Sequence, residues 1–579
     1  MAGEDADERA SGRIARPRVL SALAVVSRVP PRNRTYELKG DGETGLSRYR
    51  ASGLPMGNGA ECSGLRLAEL VAAVSLASDL GLGQPMEHLL RSCRLGLRLA
   101  ESVGLSEDER AVVYYVALLG WVGCHAESHE QAAWFGDEIA MKADRYEVDM
   151  AGRAGAGFVL RHVGAGGPPW RRARLLAPLI ASHGKVAGAF EGTHCQLAGQ
   201  VAVGLGLGTG VRDALHHVFE RWDGKGRPAG LRGEQVALPA RIVQLAGVVE
   251  RHRREGGIDV AAGVARRRRG TQFDPSLVDR LCLQPGRMLS GLEAAASWDE
   301  LIDAEPALRP VMSEEQLQRA LEAIADLADL KSPYTTGHSR GVAELVSTAA
   351  GRCGLSAGQA AELRGAAWLH DLGRLGVSSV IWDKPGSLSE AESERVRMFP
   401  YFTQRMFARS ARLAPLAEIA GQHLERLDGS GYPRGLSGAA LSPAVRLLAA
   451  ADVYQALLEP RAYRPEYSPA DAARVLAAEV RAGRLDGDAV HAVLGAAGHR
   501  LARRREWPAG LTAREVEVLA LAAQGHSTKE IAGRLVISPK TAGNHIEHIY
   551  LKTGCSSRAE ASLYAMQQGL LGEPRAAQT

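Results

Sequence analysis

Two segments of the chain read almost alike: Leu424–Gly438 is LERLDGSGYPRGLSG, and Phe219–Gly233 is FERWDGKGRPAGLRG. Each position of the first lies 205 residues after its counterpart in the second, without a gap, and this register continues to Val248 and Val453. Gly and Pro fix the geometry of turns, so chance similarity between helical segments would not keep such a register. The sequence therefore predicts two copies of one domain.

A second anchor lies upstream in each copy. His88 corresponds to His338, and Gly120-Trp121 corresponds to His370-Asp371. In both copies the second anchor position lies 32 residues after the first: Gly120 after His88, and His370 after His338. The predicted order is a disordered extension over 1–64, a first copy over 65–300, a second copy over 312–500, a linker over 501–509 and a small unit over 510–573. We leave open whether residues 1–64 belong to the natural product.

Composition and periodicity indicate the fold class. The 579 residues are 23% charged and 45% hydrophobic with a net charge of +4, which suits a multi-domain globular chain. From Leu65 onward apolar residues recur at helical spacing, whereas alternating β patterns are nearly absent, so we predict an all-α protein. Seven scattered cysteines without a CxxC pair, and the lack of a signal peptide or an 18-residue apolar run, predict a reducing, cytoplasmic location.

The second copy carries a set of metal-ligand residue types at intervals along the chain. Imidazole and carboxylate groups suit a divalent transition ion, and an adjacent His-Asp pair offers two ligands at once. A shared Asp can also bridge two metals in a phosphohydrolase. The candidate ligands are His338, His370, Asp371, His423 and Asp452.

The motifs of the second copy resemble those of the HD-GYP domain, a branch of the HD phosphohydrolases whose active members hydrolyse cyclic di-GMP. The resemblance covers about 170 residues and is carried in order by PYTTGHS (333–339), LHDLGR (369–374), HLERLDGSGYP (423–433) and ADVY (451–454). It implies that His338, His370, Asp371 and Asp452 hold the first metal, Mn, Fe or Zn, and that Asp371 and His423 belong to a second.

Three positions depart from the family pattern. Phe399 and Leu424 stand where the family has His ligands of the second metal, and Arg374 replaces a Lys, which keeps the charge but not the compact ammonium geometry. We expect one metal, as in plain HD domains, with Asp371 and Arg374 as the catalytic residues. Two-metal hydrolysis of cyclic di-GMP is then weak or absent, and a metal-free scaffold is the alternative.

The first copy has lost its ligand set. Gly120-Trp121 stands for the His-Asp pair, Val218 for His423 and Gly247 for Asp452, so only His88 remains. Without a carboxylate at the bridging or closing position, metal catalysis has no physical basis in this copy. Dimerisation, ligand sensing and packing against the second copy are the roles left open for this degenerate domain.

The C-terminal segment has the punctuation of a helix-turn-helix. Thr512 with Glu515 forms a capping box, Gly525 ends that helix, and Ser538-Pro539 starts a later one. Residues 510–573 resemble the LuxR-type (NarL/FixJ-like) DNA-binding domain of four helices, which implies binding to double-stranded DNA as a homodimer. A helical oligomerisation domain is the alternative.

The resemblance assigns roles to residues of this last unit. Phosphate contacts fall to Lys529, Lys540, Thr541 and His545, and base-edge contacts to Gly543, Asn544 and Glu547. Asn can pair with adenine, and Glu can accept from cytosine N4. Ala542 and Glu547 depart from the commoner Val and basic residue of the family.

Three functions follow from these parts. The first is a DNA-binding transcriptional regulator whose HD-GYP-like module senses a metal, a cyclic dinucleotide or another nucleotide, or hydrolyses it. The second is a metal-dependent phosphodiesterase with a DNA-binding tail, and the third is a catalytically dead helical scaffold. The intact helix-turn-helix and the damaged second metal site favour the first.

Overall fold

The computed structural model describes residues 64–165, 167–181, 185–292, 297–306, 310–500, 507–535 and 537–571. The predicted extension over 1–64 therefore lies outside the described residues except for its last residue, as do 501–506 of the predicted linker. The chain forms two compact units, and the boundary between them along the chain lies between Gly498 and His499. Regular structure in the described ranges consists of helices and a few isolated β-bridges, without a strand, which confirms the all-α prediction.

The first unit begins with the helices of the first copy. They are α1 Leu67–Gly81, α2 His88–Ser102, α3 Glu107–Leu119, α4 Ser128–Phe135, α5 Glu138–Asp144, α6 Gly152–His162, α7 Pro169–Ala181, α8 Lys185–Gly204, α9 Thr209–Leu215, α10 Leu238–Arg267, α11 Pro275–Leu283, α12 Pro285–Leu289 and α13 Ser297–Asp303. Helix α10 is interrupted at Gly257, whose φ of 81° lies outside the helical region.

The second copy continues the same unit. Its helices are α14 Glu314–Asp329, α15 His338–Ala350, α16 Ala357–Leu369, α17 Ser379–Trp382, α18 Glu390–Arg397, α19 Phe399–Phe407, α20 Ala414–Ala420, α21 Pro443–Leu458, α22 Pro469–Arg481 and α23 Gly487–Ala496. None of the helices described in either unit is both long enough and apolar enough to cross a bilayer.

The internal repeat is visible in buried carboxylates that bind backbone N–H groups at equivalent places. Glu425 accepts from the amides of Arg434 and Leu436 at 2.7 and 2.9 Å. In the first copy, the side chain of Glu220 accepts from two amides nine and eleven residues further on, at 2.6 and 2.9 Å. Because a buried carboxylate needs such partners, the Glu fixes the Gly-rich turn in each copy.

The two copies pack against each other within the first unit. Helix α1 lies against α19 and against the 3₁₀ turn Leu372–Gly376, which directly follows the His-Asp pair. Gly376 lies at this contact, where a Cβ would be 3.1 Å from the side chain of Leu80, closer than most Cβ contacts in proteins. The first copy thus covers the turn that follows the candidate ligands His370 and Asp371.

The second unit is a small helical bundle. It consists of α24 Ala513–Ala523, α25 Thr528–Leu535, α26 Pro539–Thr553 and α27 Arg558–Gln567 around an apolar core that includes Leu519, Ile531 and Ile549. The predicted capping box is present, since Thr512 Oγ1 accepts from the Glu515 amide at 3.2 Å and Glu515 accepts from the Thr512 amide at 2.7 Å. Ser538 caps α26, with Pro539 in its first turn.

Candidate functional site

Four elements of the second copy bring the candidate ligands together. His338 is the first residue of α15, and His370-Asp371 follows the last residue of α16. His423 lies in the turn after α20, and Asp452 lies in the middle of α21. All five residues are almost completely buried, with residue exposures between 0 and 5%.

Each histidine is held through its Nδ1 atom, which leaves Nε2 directed at the site. His370 Nδ1 donates to the carbonyl of Ala367, and His423 Nδ1 donates to the carbonyl of Ala420, both at 2.6 Å. His338 Nδ1 instead donates to the carboxylate of Glu459 at 2.9 Å. Such outer partners fix the ring tautomer and orientation of metal-binding histidines.

The atoms directed at the site have the spacing of a coordination shell. His338 Nε2 lies 3.2 Å from Asp452 Oδ1 and 3.7 Å from Asp371 Oδ2. His370 Nε2 lies 3.6 Å from Asp371 Oδ2. Ligand atoms 2.0–2.2 Å from a tetrahedral metal lie about 3.4 Å from one another. The ligand atoms of His338, His370 and Asp371 all fall within 4.8 Å of one another.

Two buried imidazole nitrogens of this cluster also lack a partner. Among the described residues, neither His370 Nε2 nor His423 Nε2 has a hydrogen-bond partner, and Asp371 Oδ1 has none either. Buried polar atoms are usually satisfied, and a missing ion is one reason why they are not. The residues present therefore fit one divalent metal held by His338, His370, Asp371 and Asp452.

The electrostatics of the pocket favour a cation. Burial opposes the charged form, but hydrogen bonds to Asp452 and Glu459 raise the pKa of His338 to about 10. Burial likewise works against the Asp452 carboxylate, whereas the hydrogen bond from His338 and the nearby imidazoles of His370 and His423 hold its pKa well below the usual range. A positive charge among these carboxylates is thus favoured, and a metal ion supplies it without a proton.

Asp371 has two differently occupied sides. Its Oδ2 atom faces His338 and His370 and pairs with Arg374 Nη1 at 2.9 Å, whereas Oδ1 lies 3.9 Å from His423 Nε2. Burial raises the pKa of Asp371, but Arg374 and the nearby histidines outweigh this effect and lower it. The carboxylate is ionised and therefore able to act as a ligand.

The side of the site where the family places a second metal is apolar. Phe399 is buried with Val377, Ile381 and Val396, and Leu424 packs against the same cluster. The Phe399 ring lies 5.6 Å from that of His423, and the Arg374 guanidinium lies 5.5 Å from the Phe399 ring. Asp371 and His423 are the two ligands that remain there, so this side does not fit a second metal.

The region of the first copy that corresponds to the candidate metal site contains other groups. His88 Nδ1 pairs with the buried carboxylate of Glu250, which also accepts from Arg91 Nε at 2.5 Å. Trp121 and Tyr146 lie close to these groups, with ring centroids 6.5 Å apart, and Tyr146 contacts the His88 ring edge-on at 5.3 Å. Aromatic rings and an ion cluster therefore surround His88, the counterpart of His338.

Two partners of these histidines were not predicted. Glu459 follows Asp452 by seven residues and lies directly after the last residue of α21. That spacing, about two helical turns, was the available signal. Glu250 has no counterpart of its charge in the second copy, where Gln455 stands 205 residues later. Sequence comparison between the copies therefore gave no signal for it.

The second unit presents the residues that were assigned to DNA. Thr541, Asn544 and Glu547 are exposed on α26, as is Lys540. Lys529 is exposed on α25, while Gly543 and His545 are partly buried. Burial lowers the pKa of His545. Ala542, which differs from the commoner Val of the family, is fully buried in the core of the unit. It therefore packs on the inner side of α26.

Fold and site together define the class of the chain: an HD-domain protein with a metal-ligand cluster, followed by a helix-turn-helix unit of the LuxR type. The family model "HD domain" matches residues 322–489, and that of "Bacterial regulatory proteins, luxR family" matches residues 509–565. HD-domain phosphohydrolases are metal-dependent.

Comparison with individual proteins narrows this class. The chain is 32% identical over 402 residues to 3′3′-cGAMP-specific phosphodiesterase 3 of Vibrio cholerae, a match that covers 69% of this chain and 87% of that protein. It is 34% identical over 158 residues to a cyclic di-GMP phosphodiesterase of Pseudomonas aeruginosa, or 27% of this chain and 38% of that one.

A solved structure agrees with these matches. The crystal structure of a cyclic GMP-AMP-specific phosphodiesterase of Vibrio cholerae aligns with a TM-score of 0.54 and 27% identity, covering 76% of this chain and 99% of that one. The chain belongs to the HD-GYP phosphodiesterase family. The match over 402 residues is longer than either predicted copy.

Proposed function

We propose that this protein is a metal-dependent phosphodiesterase of cyclic dinucleotides, joined to a unit that binds double-stranded DNA. The observation that carries the proposal is the buried cluster of His338, His370, Asp371 and Asp452. Its inward-facing atoms have the spacing of a coordination shell. Among the described residues, His370 Nε2 and Asp371 Oδ1 have no hydrogen-bond partner.

The substrate class comes from the relatives. A 3′3′-cGAMP-specific enzyme matches through both copies, whereas the cyclic di-GMP phosphodiesterase of Pseudomonas aeruginosa matches over 158 residues only. We therefore take 3′3′-cGAMP as the first substrate to test and cyclic di-GMP as the second. Because the second metal site lacks two ligands, we expect weak hydrolysis of cyclic di-GMP.

Each residue of the site has a task in such a reaction. A bound divalent metal would polarise the phosphate and lower the pKa of a water molecule. Asp371 holds its carboxylate ionised at the centre of the cluster, where it can orient that water and receive its proton. Arg374 is 17% exposed, so its guanidinium can turn N–H groups towards a phosphate while one N–H group stays on Asp371.

The apolar side of the site makes a one-metal centre the consistent proposal. Phe399 and Leu424 offer no lone pairs, and two protein ligands alone rarely retain a divalent ion. The permanent charge of Arg374 remains on this side, where it can offset the negative charge that develops on the phosphate.

The histidines of the two copies supply a matched test. His338→Ala removes a ligand of the second copy, and His88→Ala removes the corresponding side chain of the first. We expect wild type and His88→Ala to retain one metal per chain and turnover of 3′3′-cGAMP, and His338→Ala to lose both. Equal retention in both variants would refute the proposed site, and thermal melting of each variant checks that it is folded.

A transcriptional regulator is the second candidate, favoured by the LuxR-type unit with its exposed row of Lys540, Thr541, Asn544 and Glu547. In this case the unit binds DNA as a homodimer, and the metal module changes that binding. Asp371→Ala separates the candidates: if DNA binding and its response to cyclic dinucleotides stay unchanged in this variant, the metal is not part of a switch.

A further inference from the structure

A carboxylate of the degenerate first copy is buried among groups of the second. Glu138, the first residue of α5, is 0% exposed. Its Oε1 atom lies 3.3 Å from Lys331 Nζ and accepts from the Ser379 amide at 2.9 Å. Its Oε2 atom accepts from Ser378 Oγ at 2.6 Å. Every one of these partners belongs to the second copy.

These partners hold the backbone beside the candidate ligands. Lys331 Nζ also donates to the carbonyl of Leu375 at 3.4 Å, in the 3₁₀ turn that directly follows Asp371. The same lysine lies two residues after Asp329, whose carboxylate accepts from the amide and hydroxyl of Ser339, the neighbour of His338, at 2.9 and 2.8 Å. One ion pair therefore links both ligand-bearing segments.

A second contact between the copies ends in the same region. His129 of α4 pairs with Asp383 at 2.6 Å, and Asp383 also accepts from Ser332 Oγ at 2.6 Å. Ser332 is the residue after Lys331, and Asp383 follows α17, which starts just beyond Ser378. The first copy thus contacts residues at both ends of helix α17, which follows the turn after Asp371.

Stability alone is a weak reason for such a cluster. A buried ion pair is often no better than well-packed apolar residues of similar volume, because desolvation costs as much as the attraction returns. What an ion pair adds is fixed geometry. Groups bonded directly to ligands tune metal affinity, and this ion pair acts one step further out, on the backbone that carries the ligands. The first copy has lost its own ligands but keeps this contact to those of the second.

We propose that Glu138 is a positioning residue for the metal site: through Lys331, Ser378 and Ser379 it holds the turn after Asp371 and the segment before His338 in the geometry that binds metal. The first copy is then a support required for full metal affinity rather than an independent module. This inference rests on the proposed metal site of the second copy.

The test measures Mn²⁺ affinity of the metal-free full chain by calorimetry, together with the thermal midpoint of unfolding. Glu138→Gln leaves the Lys331 charge buried and unpaired, so both quantities should fall. The double variant Glu138→Gln/Lys331→Met removes both charges and should recover the midpoint. We expect its Mn²⁺ affinity to stay about 10-fold below wild type, the lower end of outer-partner effects.

A matched control lies inside the first copy. Glu250→Gln disrupts a buried carboxylate of the same kind, paired with His88 and Arg91, that does not touch the second copy's ligand segments. It should lower the midpoint without changing Mn²⁺ affinity. Glu138→Asp keeps the charge but draws the carboxylate back by one methylene, and its affinity should fall between those of wild type and the double variant.

The outcomes are distinct. If the double variant regains wild-type Mn²⁺ affinity along with its midpoint, Glu138 is merely structural and the inference is wrong. If Glu250→Gln weakens Mn²⁺ binding as much as the double variant does, affinity follows stability and the inference is again wrong. If wild type itself binds no metal, the proposed function fails before this inference is reached. Should the double variant not fold, Glu138→Asp decides by the same comparison with Glu250→Gln.

Discussion

At the scale of single residues, Glu459 is the outer partner of one proposed ligand. It accepts from His338 Nδ1 at 2.9 Å, while His370 and His423 use backbone carbonyls for the same purpose. Glu459→Gln removes the charge and should weaken metal binding about 10-fold to 100-fold. Titration of Mn²⁺ into the metal-free protein measures this effect. Glu344→Gln, an exposed change on the same helix as His338, should leave the affinity as it is.

The ion cluster of the first copy gives a pH-dependent prediction. Burial raises the pKa of Glu250, but His88 and Arg91 outweigh it and lower the pKa to about 2, against 4.5 for an ordinary Glu. A carboxyl whose pKa is depressed on folding stabilises the protein above its unfolded pKa, and this contribution is lost as the pH falls towards the folded pKa. The free energy of unfolding of wild type should therefore exceed that of Glu250→Gln by less in acid than at neutral pH.

Denaturant unfolding of both proteins at several pH values measures that difference. The difference in unfolding free energy between them should be constant above about pH 5 and narrow by about 2 kcal/mol on acidification to about pH 3. A difference that stays constant over this range would contradict the assigned charge state of Glu250.

At the scale of elements, the prediction for the number of bound metals concerns Phe399 at the start of helix α19 and Leu424 in the turn after α20. Phe399→His and Leu424→His together restore two imidazoles beside Asp371 and His423. Metal analysis of the double variant should show an increase from one to two equivalents per chain, with higher phosphodiesterase activity. Each single change adds only one imidazole and should give a stoichiometry between those of wild type and the double variant. An unchanged stoichiometry in the double variant would mean that these positions do not correspond to the family's ligands.

Helix α26 carries the prediction for DNA. Lys540 is exposed in its first turn, and a lysine bound to phosphate releases about one counterion on binding. Lys540→Ala should weaken binding to duplex DNA of random sequence and reduce the slope of log affinity against log salt by about 1. Fluorescence anisotropy at several salt concentrations measures that slope.

A control for this change lies on the same helix. Lys552 pairs with Glu515 of the capping box at 2.7 Å. Lys552→Ala should lower the thermal stability of the unit but leave the salt slope unchanged. If the slope falls equally in both variants, or in neither, Lys540 does not contact phosphate.

At the scale of the whole molecule, periodicity and punctuation were sufficient for the fold class. Helix α26 begins where Ser538-Pro539 predicted, and the Gly-rich turns of both copies repeat because each is fixed by a Glu in the same register. Such signals are local, so they can be read along the chain. The candidate ligands were predicted from motif spacing and the family resemblance, and the structure brings their side chains together.

Contacts between distant segments could not be predicted in this way. Glu138 meets Ser378 across 240 residues of chain, and nothing near Glu138 in the sequence marks it as buried. His88 finds its carboxylate partner 162 residues away, at a position where the second copy has Gln455. The role of the first copy therefore emerges only when both copies are seen packed together.

The central claim is that the second copy holds one metal and uses it on a cyclic dinucleotide. The most direct test measures metal content and turnover of 3′3′-cGAMP and cyclic di-GMP on one purified sample, with Mn, Fe and Zn supplied in turn and Asp371→Ala alongside. We predict one equivalent of metal per chain and turnover of 3′3′-cGAMP that disappears in Asp371→Ala. Two equivalents per chain, or one metal without turnover of either substrate, would contradict the claim.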